Sequence, residues 1–475
     1  GLEDRGTGIT TQALAEVPAI GTFLKRTLTQ RVAPPFQDLV YSDQGMTLAA
    51  FAVQTAVGIP FDEYARLNVF EPLRMNHTHY LDVPEELKQH QARSYSFEDG
   101  QLVPIQHHYW NIWPSSSLWT TANDMGRFVG LHLSGGSLDG ARLLSKDATE
   151  RLHTRHFSYH PEMAGVCLGF FERFENGHRL LIHSGGGSGF LSEMMLLPEE
   201  GVGYFLAYNG YDGSLISAFR SAFLDRFYPA QHETLVNTVN LDAAELDAYE
   251  GWYWSIQNDR RTIEKLTSLL DGYIEVAAVG GALLVGDRSF NPVDPTLFVN
   301  QDADEPEYIA VRRDESGEAT HLLSATSEAP FQRVSWFYGQ RIQLLSVVST
   351  LLMFTLFTLS AGVALARRRK QPFSIRWTDV YMSSLTLANL AAVLTLVTIF
   401  AGLSTHSGET YIQLGIPLQL QILVGFMTIL SGLSLASPVV VGVIWQQNHK
   451  RLSLRVVASF LASLAALLYV WFLAT

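Results

Sequence analysis

The stretch Arg179-Leu180-Leu181-Ile182-His183-Ser184-Gly185-Gly186-Gly187-Ser188-Gly189-Phe190 decides how the first half of the chain is read. A short apolar run ends in a polar pair and a glycine-rich turn, and further strand-like runs follow at 192–197 and 203–208. Between those two runs, Pro198-Glu199-Glu200-Gly201 is a hairpin signal, because Pro and Gly punctuate strands and Gly accepts positive φ. The pattern predicts strands at 179–182, 192–197 and 203–208, then a helix at 214–227. Strands joined by tight turns and followed by a helix place the region in the α+β class, an antiparallel sheet flanked by helices.

Working outward, residues 46–57 form an apolar helix-like run closed by Gly58. Residues 123–133 form another, with Asp124 near its start and Gly135-Gly136 after its end. Residues 1–228 therefore read as one α+β domain and 229–245 as a linker. From 246 to 340 the texture changes: apolar runs at 273–278, 282–285 and 308–311 alternate with Asp, Gly, Asn and Pro turns. That pattern predicts a small all-β accessory module of meander or barrel type.

The last part, 341–475, has four long apolar runs, at 344–366, 380–403, 418–445 and 456–474. Each is long enough for a helix to cross a bilayer, which takes about 20 residues, and none has the polar stripe of a soluble helix. The loop from 367 to 376 holds Arg367, Arg368, Arg369, Lys370 and Arg376, and the loop from 450 to 455 holds Lys450, Arg451 and Arg455. The loop from 404 to 417 holds no Lys or Arg. By the positive-inside rule the first and third loops face the cytoplasm, and the residues before 341 lie outside the cell membrane with the C-terminus. An exported domain calls for an export signal ahead of Gly1.

The whole chain carries a net charge of −13, and the eight basic and two acidic residues after Arg341 leave about −19 for the rest. Such an acidic surface excludes nucleic acid as a partner, since phosphates need a basic face. The single cysteine, Cys167, forms no internal disulfide and reads as a core residue. The pairs His77/His79 and His107-His108 and the trio His153, His156 and His160 lack a ligand spacing with Cys or carboxylates, so no metal site and no cofactor are expected.

Three clusters carry the chemistry. They are Tyr41-Ser42-Asp43-Gln44-Gly45 at the head of a helix, Pro114-Ser115-Ser116-Ser117-Leu118-Trp119-Thr120-Thr121-Ala122-Asn123-Asp124-Met125, and His183-Ser184-Gly185-Gly186-Gly187-Ser188-Gly189-Phe190. In this order they resemble the serine β-lactamase and penicillin-binding protein superfamily, and most of all its class C β-lactamase-like serine hydrolases. Gly1-Leu2 resembles the end of the family's His-Thr-Ser-Gly-Leu segment, and Phe70-Glu71-Pro72-Leu73-Arg74-Met75 with Thr78 resembles its Pro-Leu-Gly-Met-x-x-Thr. The resemblance covers about residues 1–228 and implies a β-lactamase/transpeptidase-like fold that is N-terminally incomplete here.

It also implies acyl transfer. A Ser attacks a carbonyl, a Lys three residues later assists, and a Tyr exchanges the proton. Tyr41 resembles that Tyr, and His183-Ser184-Gly185 resembles the family's Lys-Thr-Gly strand in its His variant. Tyr41 and His183 are thus the implied catalytic residues, and Asp43, Ser184, Gly185 and Gly186 the implied substrate contacts. Asp43 stands where the family has Asn. No Ser-x-x-Lys occurs anywhere in the 475 residues; the nearest imitation is Thr22-Phe23-Leu24-Lys25, on the wrong side of the Gly1-Leu2 landmark. The expectation is a membrane-anchored serine hydrolase acting on a peptide, amide or ester, with peptidoglycan-related material among the candidates, whose Ser and Lys lie upstream of this fragment. Two alternatives stay open: a catalytically silent binding or regulatory ectodomain, and a transporter or sensor worked by the four helices. Against the last, no span carries an internal Asp, Glu, Lys or Arg.

Overall fold

The structure is a computed structural model. It describes residues 2–346 other than 99, 188, 211, 231–235, 258–271, 302–305 and 325–328, and beyond 346 chiefly residues 437–447. The chain falls into two units, Gly1–Val334 and Ser335–Thr475.

In the first unit α1 (Ile20–Thr27) packs on α2 (Asp43–Val57), and α3 (Ala122–Leu133) and α4 (Ser214–Phe227) flank the two faces of the central sheet. The helix expected from residue 46 begins at Asp43, because Ser42 caps it: its hydroxyl oxygen accepts from the Gly45 amide at 3.2 Å. It ends at Gly58, whose φ of 82° suits the left-handed cap. Thr121 caps α3 in the same way, accepting from the Asp124 amide.

The sheet is antiparallel, ordered β4-β3-β2-β1, with β1 Phe171–Glu175, β2 His178–Gly187, β3 Phe190–Leu197 and β4 Val202–Tyr208. Alternation along the strands puts apolar side chains on both faces. Leu180, Ile182, Met195 and Leu197 pack with Leu224 of α4, and Leu181, Met194 and Leu196 pack with Met125 and Val129 of α3. Each fully buried side chain of this kind stabilises the fold by roughly 1.5–3 kcal/mol.

One sequence expectation is corrected here. The strand read as 179–182 continues through the glycines to Gly187, paired with β3 from Leu181↔Leu196 to Gly187↔Phe190. The ladder overrides the weak strand preference of glycine, and Gly189, just before Phe190, takes a φ of 74°. Glycine is needed at 187, since a Cβ there would approach the Trp110 ring to 2.8 Å.

A buried ion network lies beneath the sheet. Glu193 on β3 is 1% exposed and accepts hydrogen bonds from Arg220 of α4 (2.6 Å), Tyr204 (2.7 Å) and Ser184 (3.3 Å). The Arg220 Nε also donates to both carboxylate oxygens of Glu175, at 2.9 and 3.0 Å.

Residues 251–334 close into an eight-stranded antiparallel barrel. Its strands are β5 (Gly251–Ser255), β6 (Tyr273–Val279), β7 (Ala282–Val285), β8 (Arg288–Pro292), β9 (Leu297–Asn300), β10 (Glu307–Arg313), β11 (Ala319–Ser324) and β12 (Phe331–Val334). Its interior is filled by side chains, among them Tyr249, Tyr253, Phe290 and Phe298, all fully buried. The connecting segment runs along the barrel: Val236 exchanges two hydrogen bonds with the Gln301 side chain, and the Val239 amide donates to the Pro292 carbonyl.

In the second unit a helix begins after Gly339 and another runs Ser437–Gln447. The expected spans at 344–366, 380–403, 418–445 and 456–474 lie largely outside the described residues. Among the described residues no helix is long and apolar enough to cross a membrane. Leu345, Val348, Leu352, Val439 and Phe460 are exposed, while Gln343, Ser346, Ser437, Ser459 and Ser463 are buried. The Ser437 and Ser463 hydroxyls meet at 2.8 Å.

Replacing Arg220 by Met is expected to strip Glu193 of its cation inside the fold and cost about 3–5 kcal/mol in urea denaturation. Arg220→Lys should recover only part, because one ammonium does not match the two-carboxylate geometry.

Candidate active site

Tyr41 ends an irregular segment, and its place follows from the helix cap beside it. Ser42 donates to the Glu3 carbonyl at 3.2 Å, and the Asp43 amide donates to Asp4 Oδ1 at 3.1 Å. These bonds tie the head of α2 to the first residues of the chain and leave Tyr41 half-buried. His183 arrives from β2. Pairing with β1 stops at Ile182↔Phe171, so beyond that point β2 has β3 on one side and, among the described residues, no strand on the other.

The two side chains meet. The rings of Tyr41 and His183 lie 6.3 Å apart between centroids, and Phe171 completes a triangle at 6.1 Å from Tyr41 and 6.3 Å from His183. All six residues implied by the sequence, Tyr41, Asp43, His183, Ser184, Gly185 and Gly186, line one cleft of about 2010 Å³. Burial holds the His183 imidazole below its ordinary value of 6.5, with a weaker opposing pull from a backbone bond at Ser184. At neutral pH the ring is uncharged, a donor and acceptor rather than a cation.

The strand splits the roles of neighbours. Ser184 points to the opposite face from His183, where its hydroxyl donates to Glu193, so its hydroxyl is anchored in the ion network described above. Gly185 and Gly186 offer only backbone, and a Cβ at either would press on Ser192 Oγ (3.0 Å) or Leu191 Cδ2 (2.9 Å).

The Pro114–Met125 cluster divides in the same way. Ser115, Ser116 and Ser117 line the cleft, and Ser115 Oγ lies 3.5 Å from Thr47 Oγ1 on α2. Asp124 is structural: it is 4% exposed and accepts from the His77 amide and the Thr78 hydroxyl, both at 2.8 Å. That bond staples the Pro72–Thr78 segment to α3.

Sequence reading missed two wall residues, Asp4 and Phe171, which line the cleft. Trp119 and Phe190, within the second and third clusters, line it too and meet edge-to-face at 5.9 Å. The aromatic run Tyr109-Trp110-Asn111-Ile112-Trp113, open by sequence to a pocket wall or to core packing, puts Trp110 in the cleft against Gly187. Nothing local marks Asp4 or Phe171.

The histidines do not converge on a metal. His153 stacks on His132 with its Nε2 at 3.1 Å from Nδ1, His156 bonds to the Arg151 carbonyl, and His160 faces Asp294. Among the described residues no three His, Cys, Asp or Glu side chains form a metal-binding group. Burial pushes the Cys167 thiol up to about 11 and leaves it unreactive.

Comparison with known proteins bears on this arrangement. Residues 11–224 match the β-lactamase family model. That region, a little under half of the chain, is similar to the β-lactamase family; it holds all four strands of the sheet together with Tyr41 and His183, leaves out Asp4 and stops short of the barrel. Among solved structures the chain is similar to the penicillin-binding protein homologue from Pyrococcus abyssi (18% identity, 66% of this chain and 70% of that one, TM-score 0.40). It is also similar to SurE (17% identity, 70% and 77%, TM-score 0.47) and to a class C β-lactamase (16% identity, 47% and 67%, TM-score 0.38). No curated protein matches the chain.

An NMR titration should place the His183 midpoint below 6.5. The unfolded chain then binds that proton more readily than the folded one, so stability from this group is complete above 6.5 and falls as the pH drops below it. A His183→Gln variant should lose this part of the acid sensitivity in thermal melts.

Proposed function

We propose that this chain belongs to a membrane-anchored serine hydrolase of the β-lactamase-like type, acting outside the membrane on a peptide, amide or ester. The observation that carries the reading is the meeting of Tyr41 and His183 across one cleft, from segments far apart in sequence. The reading calls for an acylating Ser with a Lys three residues later, and no Ser-x-x-Lys occurs in this sequence.

Each group then has a task. A phenol has an ordinary pKa near 10 and needs a cation beside it to act as a base at neutral pH, which the Lys supplies. Tyr41 takes the proton as the Ser attacks the carbonyl and returns it to the leaving group. The β2 edge beyond Ile182 aligns the substrate main chain through its backbone, and uncharged His183 offers a hydrogen bond rather than a charge. A site without the family's Lys at this position favours neutral substrate groups over a penicillin-type carboxylate. Trp110, Trp119 and Phe190 give the cleft an apolar wall.

Membrane anchoring is supported by the four apolar runs and by the exposure of Leu345, Val348, Leu352, Val439 and Phe460 after residue 340, where the Ser437 and Ser463 hydroxyls meet beside the buried Val440, Ile444 and Val456, as suits helices solvated by lipid.

A fluorophosphonate probe tests the chemistry. A protein that carries this chain together with a Ser-x-x-Lys segment should form an adduct on that Ser, slowed about 10²–10⁴-fold by Tyr41→Phe. No adduct on folded protein would replace the hydrolase with a silent binding ectodomain. Topology is tested separately. In intact cells a membrane-impermeant maleimide should label His406→Cys, and label Arg368→Cys only after permeabilisation. The reverse pattern would invert the orientation.

A further inference from the structure

The segment that delivers Tyr41 to the cleft has no structure of its own to hold it. Residues 38–42 form neither helix nor strand, and the segment starts from Phe36, a residue with a φ of 64° and an exposed ring. What holds it is the barrel. Arg312 on β10 donates through Nη2 to Asp38 Oδ1 at 2.6 Å and to the Gln37 carbonyl at 3.1 Å. The Asp38 carboxylate is 3% exposed, so this ion pair is shielded from water on one side. One residue on, the Leu39 amide donates to the Tyr159 hydroxyl at 3.1 Å, and that hydroxyl lies 3.3 Å from the Leu39 carbonyl. Tyr159 itself packs beside Met163 on Leu297, Ala310 and Leu323 of the barrel. Finally Gln257, just past β5, donates through Nε2 to the carbonyl of Tyr41 itself at 3.2 Å, and its own carbonyl accepts from the Asp4 amide at 3.2 Å.

We propose that the β-barrel is a working part of the cleft, in which Arg312 and Gln257 act as positioning residues that hold the 37–41 segment and set the place of the Tyr41 ring against His183. The grips fall on residues 37, 38, 39 and 41, on the backbone at three of them, so they constrain the path of the chain rather than one side chain. The barrel suits the task because it is closed and its interior is filled, which makes its outer rim a fixed frame. The two grips also come from separate parts of the barrel, β10 and the turn after β5, so a tilt of the barrel is transmitted to Tyr41 at both ends of the segment. The consequence for acylation rests on the hydrolase reading above; the positioning does not.

The test introduces 3-fluorotyrosine at position 41 of the full chain and reads one ¹⁹F resonance. Arg312→Met and Gln257→Ala should shift or split that resonance, and Arg312→Lys should return it towards the parent position by restoring the charge opposite Asp38. Arg288→Met, which breaks a barrel ion pair with Glu307 away from these contacts, should leave it unmoved. An unmoved resonance in folded Gln257→Ala and Arg312→Met overturns the proposal. Should Arg312→Met fail to fold, Gln257→Ala decides alone, since it removes a single amide. In the protein that carries the Ser and Lys, the two disruptive variants should slow fluorophosphonate labelling about 10- to 100-fold, the cost of a small misplacement of a reacting group. Absence of labelling in the parent protein would sink the hydrolase reading and leave the ¹⁹F result to judge the barrel's role.

Discussion

The ladder between β2 and β3 is the constraint on which the rest of the first unit depends. Seven cross-strand pairs, from Leu181↔Leu196 to Gly187↔Phe190, carry β2 beyond the end of β1. That overhang gives the cleft a strand edge that no strand among the described residues pairs, and sets His183 in it. The same ladder alternates its side chains so that Leu181 and Met194 face α3 while Ile182 and Met195 face α4. A slip of one residue would exchange the faces, burying His183 under α4 and presenting Ser184 to Tyr41.

The buried charges beneath the strand guard against that slip. Glu193 can be inside only because Arg220, Tyr204 and Ser184 meet it there, and each comes from a different element. In the wrong register the carboxylate would face the apolar contacts of α3 without partners, at a cost of several kcal/mol. The network thus contributes to register more than to net stability, and the position of Ser184, anchored below the strand, is its visible sign.

The barrel and the described residues after 340 differ in what they bury. The barrel buries aromatic rings. Among the described residues after 340, Leu345, Val348, Leu352, Val439 and Phe460 are exposed, while serines are buried beside Val440, Ile444 and Val456. On the proposed membrane-anchored reading, Trp336-Phe337-Tyr338, with Trp336 74% exposed, falls between the barrel and the apolar runs, where aromatic side chains suit a lipid–water interface.

How much of this was legible follows from whether the signal is local. Ser42, Thr121 and Gly58 mark helix ends through bonds within four residues, so α2, α3 and α4 could be read directly, with α2 displaced only because its cap lies in the polar Tyr-Ser-Asp segment. The hairpin at 198–201 and the barrel strands announced themselves by alternation and turn residues, and the order of the Tyr41, Ser115 and His183 clusters pointed to one cleft. The continuation of β2 through three glycines was not legible, because glycine carries no strand preference and only the partner β3 supplies it. Nor were Asp4, Phe171, Arg312 and Gln257, which reach the Tyr41 segment or its wall from distant parts of the chain. Residue types and their short-range spacing determined the elements and the kind of chemistry. The tertiary structure alone decided which side chains share the cleft and what holds them there, because those contacts depend on long-range packing that no local pattern encodes.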